Sequence, residues 1–189
     1  MSVAGIVLAA GASRRFGGCK ALAPWAGTTL LGHTATEMQR ALGRAPLVVT
    51  GAWLAPMLGE CARHALPVVF NPYWQSGQAS SLRAAIDALP QSVSSVLLSP
   101  VDLPRVSAAD FSALLQAYSG AAPVATDHSG APGAPAVFPR AWFGPLRNLT
   151  GDQGARRLLE RQAHVEMLVL RGAAFDVDTK HALAALARN

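Results

Sequence analysis

Lys20 closes a run in which glycines and cations crowd together, "LAAGASRRFGGCK", residues 8–20. Gly11, Gly17 and Gly18 let a backbone turn tightly and approach a ligand with no side chain in the way. Consecutive backbone N–H groups in such a loop form a concave nest for an anion. Arg14, Arg15 and Lys20 add mobile positive charge. Together they describe a cradle for a triphosphate. The pattern is not a Walker A loop, because Ala21 rather than Ser or Thr follows Lys20, and it is not GxGxxG. A solvated surface loop of the same composition is the alternative.

Two acids could complement that cradle. Asp102 follows a short apolar stretch, so its carboxylate projects from the C-terminal end of a strand. Asp178 lies on a loop after the last strand signal. A hard cation such as Mg²⁺ takes one or two carboxylates plus substrate phosphates, and Asp102 with Asp178 fits that need. Taken alone, Asp102 before Pro104 reads as a turn or cap residue. Asp176 either supports these acids or is solvated. Asp152 reads equally as a helix N-cap and as a site residue. Of Arg156 and Arg157, one could face a substrate phosphate while the other reaches solvent.

Gly77 permits backbone contact with a flat ring, and Ser80 and Ser81 can read its polar edge, although Ser80 also suits a helix cap. The five histidines have no mutual spacing suited to a metal site. His64, His164 and His181 read as surface residues, and His128 could touch substrate. Nothing supports a covalent nucleophile: there is no GxSxG elbow, and Cys19 and Cys61 have no evident His partner. Cys19 sits among cations that could lower its pKa, or it is a small filler.

These groups need a scaffold that brings loop ends together. Val3 to Leu8 reads as a buried strand, because it is a continuous apolar run stopped by glycine. Further strands are expected at 46–50, 68–70, 96–98, 123–126, 136–138 and 165–170. Helices are expected at 29–42, 55–64, 80–89, 107–118, 152–161 and 180–187, the fourth opening on a Ser107–Asp110 capping box. A Gly/Pro-rich loop is expected at 129–135. The alternation implies one doubly wound, mostly parallel α/β sheet with helices on both faces, formed by a single domain over residues 1–189. Such sheets bind ligands at the carboxyl ends of their strands, where the order reverses.

The first motif resembles the LAAGxSxRMGxxK signature of nucleotidyltransferases that activate small molecules with NTPs, with Phe16 in place of Met. The chain is similar in particular to the molybdopterin-dinucleotide synthases, above all the molybdenum cofactor cytidylyltransferases. "NPYWQSGQASSLRAAI" (71–86), "SPVDLP" (99–104), "GAPGAPAVF" (130–138), "LTGDQGARRLL" (149–159) and "FDVDT" (175–179) match further family segments, in order. Ala85 departs from the usual Gly. The resemblance implies a Rossmann-like nucleotidyltransferase fold. It also implies Mg²⁺-dependent transfer of CMP from CTP to the phosphate of molybdopterin, in its molybdenum-loaded form, with release of pyrophosphate. Leu8, Ala9, Ala10, Gly11, Gly17, Lys20, Gly77, Ser80 and Ser81 would contact the nucleotide. Lys20, with Arg14 and Arg15, would stabilise the triphosphate, and Asp102 and Asp178 would hold the metal. "LAAG" is similar to the cytidylyl branch, the guanylyl branch showing "LAGG".

Composition bounds the alternatives. The 189 residues are 51% hydrophobic and 14% charged, enough apolar material for a sizeable core. The net charge of +5 is scattered, with no Lys/Arg run longer than two, so a nucleic-acid partner is not expected. Two cysteines without a CxxC, and no signal peptide or membrane span, fit a cytoplasmic protein. The remaining readings are a guanylyltransferase on the same cofactor, a cytidylyltransferase for a sugar or polyol phosphate, and a non-catalytic chaperone that delivers the cofactor. A target molybdoenzyme would be a further partner.

Overall fold

The computed structural model describes residues 2–162 and 165–188; His164, expected at the surface, lies outside them. Strand β1 (Val3–Ala9) is followed by a small hairpin, β2 (Pro24–Trp25) and β3 (Thr28–Thr29), and by α1 (Leu30–Leu42). Next come β4 (Leu47–Thr50), α2 (Leu54–Arg63), β5 (Val68–Phe70), α3 (Gln78–Asp87) and β6 (Ser95–Pro100). The chain continues through α4 (Ala108–Ala117), β7 (Val124–Asp127), β8 (Pro132–Pro139) and α5 (Phe143–Arg147). It ends with α6 (Arg156–Leu159), β9 (Glu166–Leu168) and α7 (Lys180–Leu186).

Seven strands form one sheet in the order β5-β4-β1-β6-β8-β7-β9. The pairings of β1 with β4 and β6, of β4 with β5 and of β7 with β9 are parallel, and β8 runs antiparallel to both its neighbours. Strand β1 is therefore central. The chain leaves it toward β4 and β5, then returns to lay β6 on its other side. That reversal is the switch point at which open α/β sheets leave a crevice. The register of β1 and β6 pairs Leu8 with Pro100, so the 9–20 loop and Asp102 leave the sheet side by side.

Successive side chains of β1 point to opposite faces. Val7 belongs to one core cluster with Leu30, Leu31 and Met38 of α1, Met57 of α2, Phe111 of α4 and Leu183 of α7. Ile6 belongs to the other, with Leu82 and Ile86 of α3, Leu146 of α5 and Leu159 of α6. Both faces are covered, which is why β1 reads as an unbroken apolar run. Burying one such side chain is worth about 1.5–3 kcal/mol relative to exposure. Gly5 has no side chain because a Cβ there would stand 2.7 Å from Leu42 Cδ1 and Met38 Sδ.

The helix starts follow their caps. Thr29 Oγ1 accepts from Gly32 N at 3.0 Å, and Ser107 with Asp110 forms the expected capping box. Two expectations need correction, and two elements were not expected. The Gly/Pro-rich stretch is not a loop throughout, because β8 runs from Pro132, with an irregular register between Ala125 and Thr126 of β7 absorbing the mismatch. Asp152 does not cap a helix: α6 starts only at Arg156, and residues 150–154 instead pack against the start of α3. Helix α5 gave no periodic signal, since Gly144 and Pro145 occupy two of its five positions. The β2–β3 hairpin was also unforeseen. Its turn has Ala26 at φ 48° and Gly27 at φ 79°, the two positive values that a type I′ turn demands.

Candidate active site

The loop after β1 folds back on itself before it reaches Lys20. Ser13 takes φ 51°, and its carbonyl accepts from Phe16 N at 3.0 Å and Gly17 N at 3.1 Å. Gly17, at φ 73°, closes that turn. Phe16 drops into the core at 6% exposure. This anchors the loop and sends the chain back under the crevice, where Lys20 is 9% exposed.

Lys20 Nζ donates to Asp102 Oδ2 at 2.9 Å and to Asp178 Oδ1 at 3.3 Å. Arg15 Nη1 holds the other oxygen of Asp178 at 2.9 Å. Asp178 arrives through the backbone: buried Val177 donates its N–H to Asp102 O at 2.9 Å. That single bond fastens the closing segment to the end of β6. The four charges cancel, and a buried Lys20 left without its acids would be strongly destabilising. Two carboxylates converging on one ammonium also lie within reach of a common cation. Among the described residues no cluster of three or more His, Cys, Asp or Glu does so. A hard divalent ion bound by one or two carboxylates and completed by substrate phosphates matches this donor set.

Above the quartet opens a cleft of about 780 Å³. Of the residues expected to meet a nucleotide, Leu8, Ala9, Ala10, Gly11, Arg14, Lys20, Gly77, Ser81 and Asp102 line it. Arg15 and Asp178 join it only through their ion pairs. Gly17 and Ser80 do not line it. Gly17 shapes the loop from behind. The Ser80 hydroxyl faces Tyr73 O at 2.9 Å and Gly77 O at 2.8 Å and accepts from Asn71 Nδ2 at 2.7 Å, so it serves the start of α3. Ser81 Oγ accepts from the same amide at 3.0 Å and keeps its proton free at the cleft. Gly77, at φ 104°, touches Gly151, where a Cβ would come within 2.3 Å of backbone atoms. Ala79 N donates to Gly151 O at 3.1 Å, so α3 and the 150s loop form one wall.

Other candidates fall away from the cleft. His128 turns its Nε2 to Ala134 O at 2.9 Å inside the β7–β8 connection. His64 is half-buried against Glu60 at 3.2 Å rather than a plain surface residue. Asp176 and His181 are exposed. Cys19 does line the cleft, but burial pushes its thiol up, against the lowering its cationic neighbours could have caused. Asp152 lines the cleft, as do Trp74, Gln75 and Gln78, which the sequence reading passed over. All three lie inside the 71–86 segment, whose tight Asn71-Pro72 break and Gly77 were the available signal.

A second cavity of about 750 Å³ adjoins the first, sharing Gln78 and Asp152 with it. Arg156 and Arg157 both line it. Arg156 is paired with Glu160 at 2.7 Å, whereas Arg157 makes no ion pair among the described residues.

Residues 5–165 match the model of the MobA-like NTP transferase domain. The chain belongs to that family. It is a nucleotidyltransferase of the α/β nucleotidyltransferase fold. Rv0371c from Mycobacterium tuberculosis H37Rv superposes with a TM-score of 0.85 at 27% identity, over 100% of both chains. The same protein has been crystallised in complex with manganese. Its homologue from Mycobacterium sp. strain JC1 is 30% identical over 98% of this chain and 95% of its own, with a TM-score of 0.84. Molybdopterin-guanine dinucleotide biosynthesis protein A from Archaeoglobus fulgidus shares the fold, with a TM-score of 0.72 at 18% identity over 98% of this chain and 96% of its own. A search by sequence among curated proteins found no match. No described helix is long and apolar enough to cross a membrane.

Proposed function

We propose that this nucleotidyltransferase carries CMP from CTP to the phosphate of molybdopterin, molybdenum-loaded, and releases pyrophosphate. The observation that carries the reading is the quartet of Lys20, Arg15, Asp102 and Asp178 at the floor of a nucleotide-sized cleft. An acceptor phosphate oxygen attacks the α-phosphorus, and the bond from that phosphorus to the bridging oxygen of the β-phosphate breaks. Pyrophosphate leaves with the bonding pair, so no protein nucleophile is needed. Positioning and charge neutralisation supply the catalysis.

Each part of the site has a task in that reading. Gly11 to Arg14 offer backbone N–H groups and a guanidinium to the triphosphate. Lys20, held in place by two acids, presents its ammonium where the leaving pyrophosphate gathers charge. Asp102 and Asp178 would hold Mg²⁺. When bound, that ion neutralises phosphate oxygens and polarises the α-phosphorus. The manganese complex of Rv0371c supports a divalent ion in a relative at 26% identity. The second cavity suits the acceptor: Gln78 and Asp152 stand at the junction, and Arg157 is free to meet a phosphate.

Cytosine is favoured over guanine by Ala10. Ala10 lines the cleft, and in this reading a side chain there in place of glycine limits the space beside the base. A guanylyltransferase on the same cofactor is the second reading. Pyrophosphate release with each of the four NTPs, with molybdopterin as acceptor and Mg²⁺ present, decides between them. Release fastest with CTP is expected, with GTP slower by about 10- to 200-fold. Release with GTP alone would replace the cytidylyl reading, and release only with a sugar or polyol phosphate would replace the acceptor.

A further inference from the structure

The phosphate loop is held from outside as well as from within. Ala10 O accepts from Ala52 N at 3.0 Å, and Ala12 O accepts from the indole Nε1 of Trp53 at 3.1 Å. Ser13 O is taken by the turn inside the loop. Three carbonyl oxygens in four residues are thus tied. Among the described residues, no backbone N–H from Gly11 to Arg15 donates to a protein acceptor. Gly11, Ala12, Ser13 and Arg14 all line the cleft. The donors are left free for a ligand, and three of the four acceptors from Ala10 to Ser13, which would repel an anion, are engaged.

We infer that Trp53 is a positioning residue for the phosphate cradle, acting through the carbonyl of Ala12. Its anchor is firm. Trp53 occupies the N-cap position of α2, and its own carbonyl accepts from Met57 N at 3.1 Å. Met57 and Cys61 of that helix are buried in the core. The residues leading to Trp53 are equally fixed, because a Cβ on Gly51 would stand 2.6 Å from both Ala10 O and Trp74 Cβ. Without the indole donor, the Ala12–Ser13 peptide can turn its oxygen toward the cleft, where it opposes a phosphate. Trp53 is 36% exposed, so its indole N–H can be removed without opening a core cavity. Trp53 does not line the cleft, so it acts on the cradle only through the Ala12 carbonyl.

The inference rests on reading the loop as a triphosphate cradle, and it needs neither CTP nor molybdopterin. Its test therefore uses inorganic pyrophosphate with Mg²⁺ and the full chain, followed by calorimetry. Trp53→Phe keeps the ring and removes the donor. The pyrophosphate Kd is expected to rise about three- to tenfold, the size of one net hydrogen bond. The KM for the preferred NTP should rise with it while kcat moves less than about twofold. Trp25→Phe is the control. It removes a similar indole bond, to Pro104 O at 3.0 Å, and should lower Tm while leaving pyrophosphate affinity unchanged.

Unchanged affinity in Trp53→Phe, or equal weakening in both variants, would overturn the inference. So would a wild-type chain that does not bind pyrophosphate. A different base or acceptor overturns only the substrate reading and leaves this measurement intact. Should Trp53→Phe fail to fold, the Nε1–H resonance of Trp53 in the wild type serves instead. It is expected to shift on addition of pyrophosphate, and a resonance that stays put overturns the proposal.

Discussion

At the scale of single residues, the two acids are not equivalent. Among the described residues the Asp102 carboxylate pairs with Lys20 alone, whereas that of Asp178 is shared between Lys20 and Arg15. Asp102→Asn removes the one charge that stands directly at the end of β6. NTP-dependent pyrophosphate release is expected to fall about a hundredfold or more, with the circular dichroism spectrum unchanged. Asp178→Asn keeps an amide oxygen able to coordinate or accept, and a smaller loss is expected in the same assay. Full activity in Asp102→Asn would reduce that acid to a turn residue. Ala10 carries a separate prediction. One methyl in a pocket discriminates by about 10- to 200-fold. Wild type should prefer CTP over GTP within that range, and Ala10→Gly should relax the preference without reversing it, as read from competing kcat/KM values.

Elements set the shape of the cleft wall, and Gly77 joins two of them. Its φ of 104° disfavours any L side chain, and its Cα lies against Gly151. In Gly77→Ala the 150s loop must move, because the atoms a Cβ meets are backbone atoms that cannot swing aside. A loss of about 1–3 kcal/mol in urea unfolding is expected from backbone strain. The wall carrying Gln78 and Asp152 would shift with it, so the KM for NTP should rise as well. A variant with wild-type KM and stability would mean that the α3 start and the 150s loop are not one unit.

Over the whole molecule, His33 on α1 links stability to pH. Burial pulls its imidazole below the ordinary 6.5; Arg40 adds to the shift, while Glu37 and the carbonyl of Pro104 oppose it. The unfolded chain therefore binds a proton more readily than the native one as pH falls through 6.5. Stability from this group is fully present above that value and is lost below it. Urea midpoints should be lower at pH 5 than at pH 7, and the difference should shrink in His33→Gln. At the alkaline end the buried thiol of Cys61, pushed up to about 11, favours the protonated native state. Unfolded thiols ionise first, so stability should decline again once the pH exceeds about 9.

The sequence by itself indicated most of the strands and helices of the main sheet, the capping box at Ser107, and Lys20, Asp102 and Asp178 as candidates for one site. Those signals are local: a strand ends at glycine, a helix starts at a capping hydroxyl, and a motif is contiguous. Tertiary structure decided everything that depends on two distant segments meeting. The pairing of Leu8 with Pro100 and the bond from Val177 N to Asp102 O bring three chain segments to one ammonium. Neither contact leaves a trace in local periodicity. Contact across the fold also overrode propensity at residues 150–154, where packing on Gly77 and Gln78 replaced the first turns of an expected helix. The task of Trp53 was hidden for the same reason, since its partner Ala12 lies 41 residues away and is chosen by which strands stand side by side.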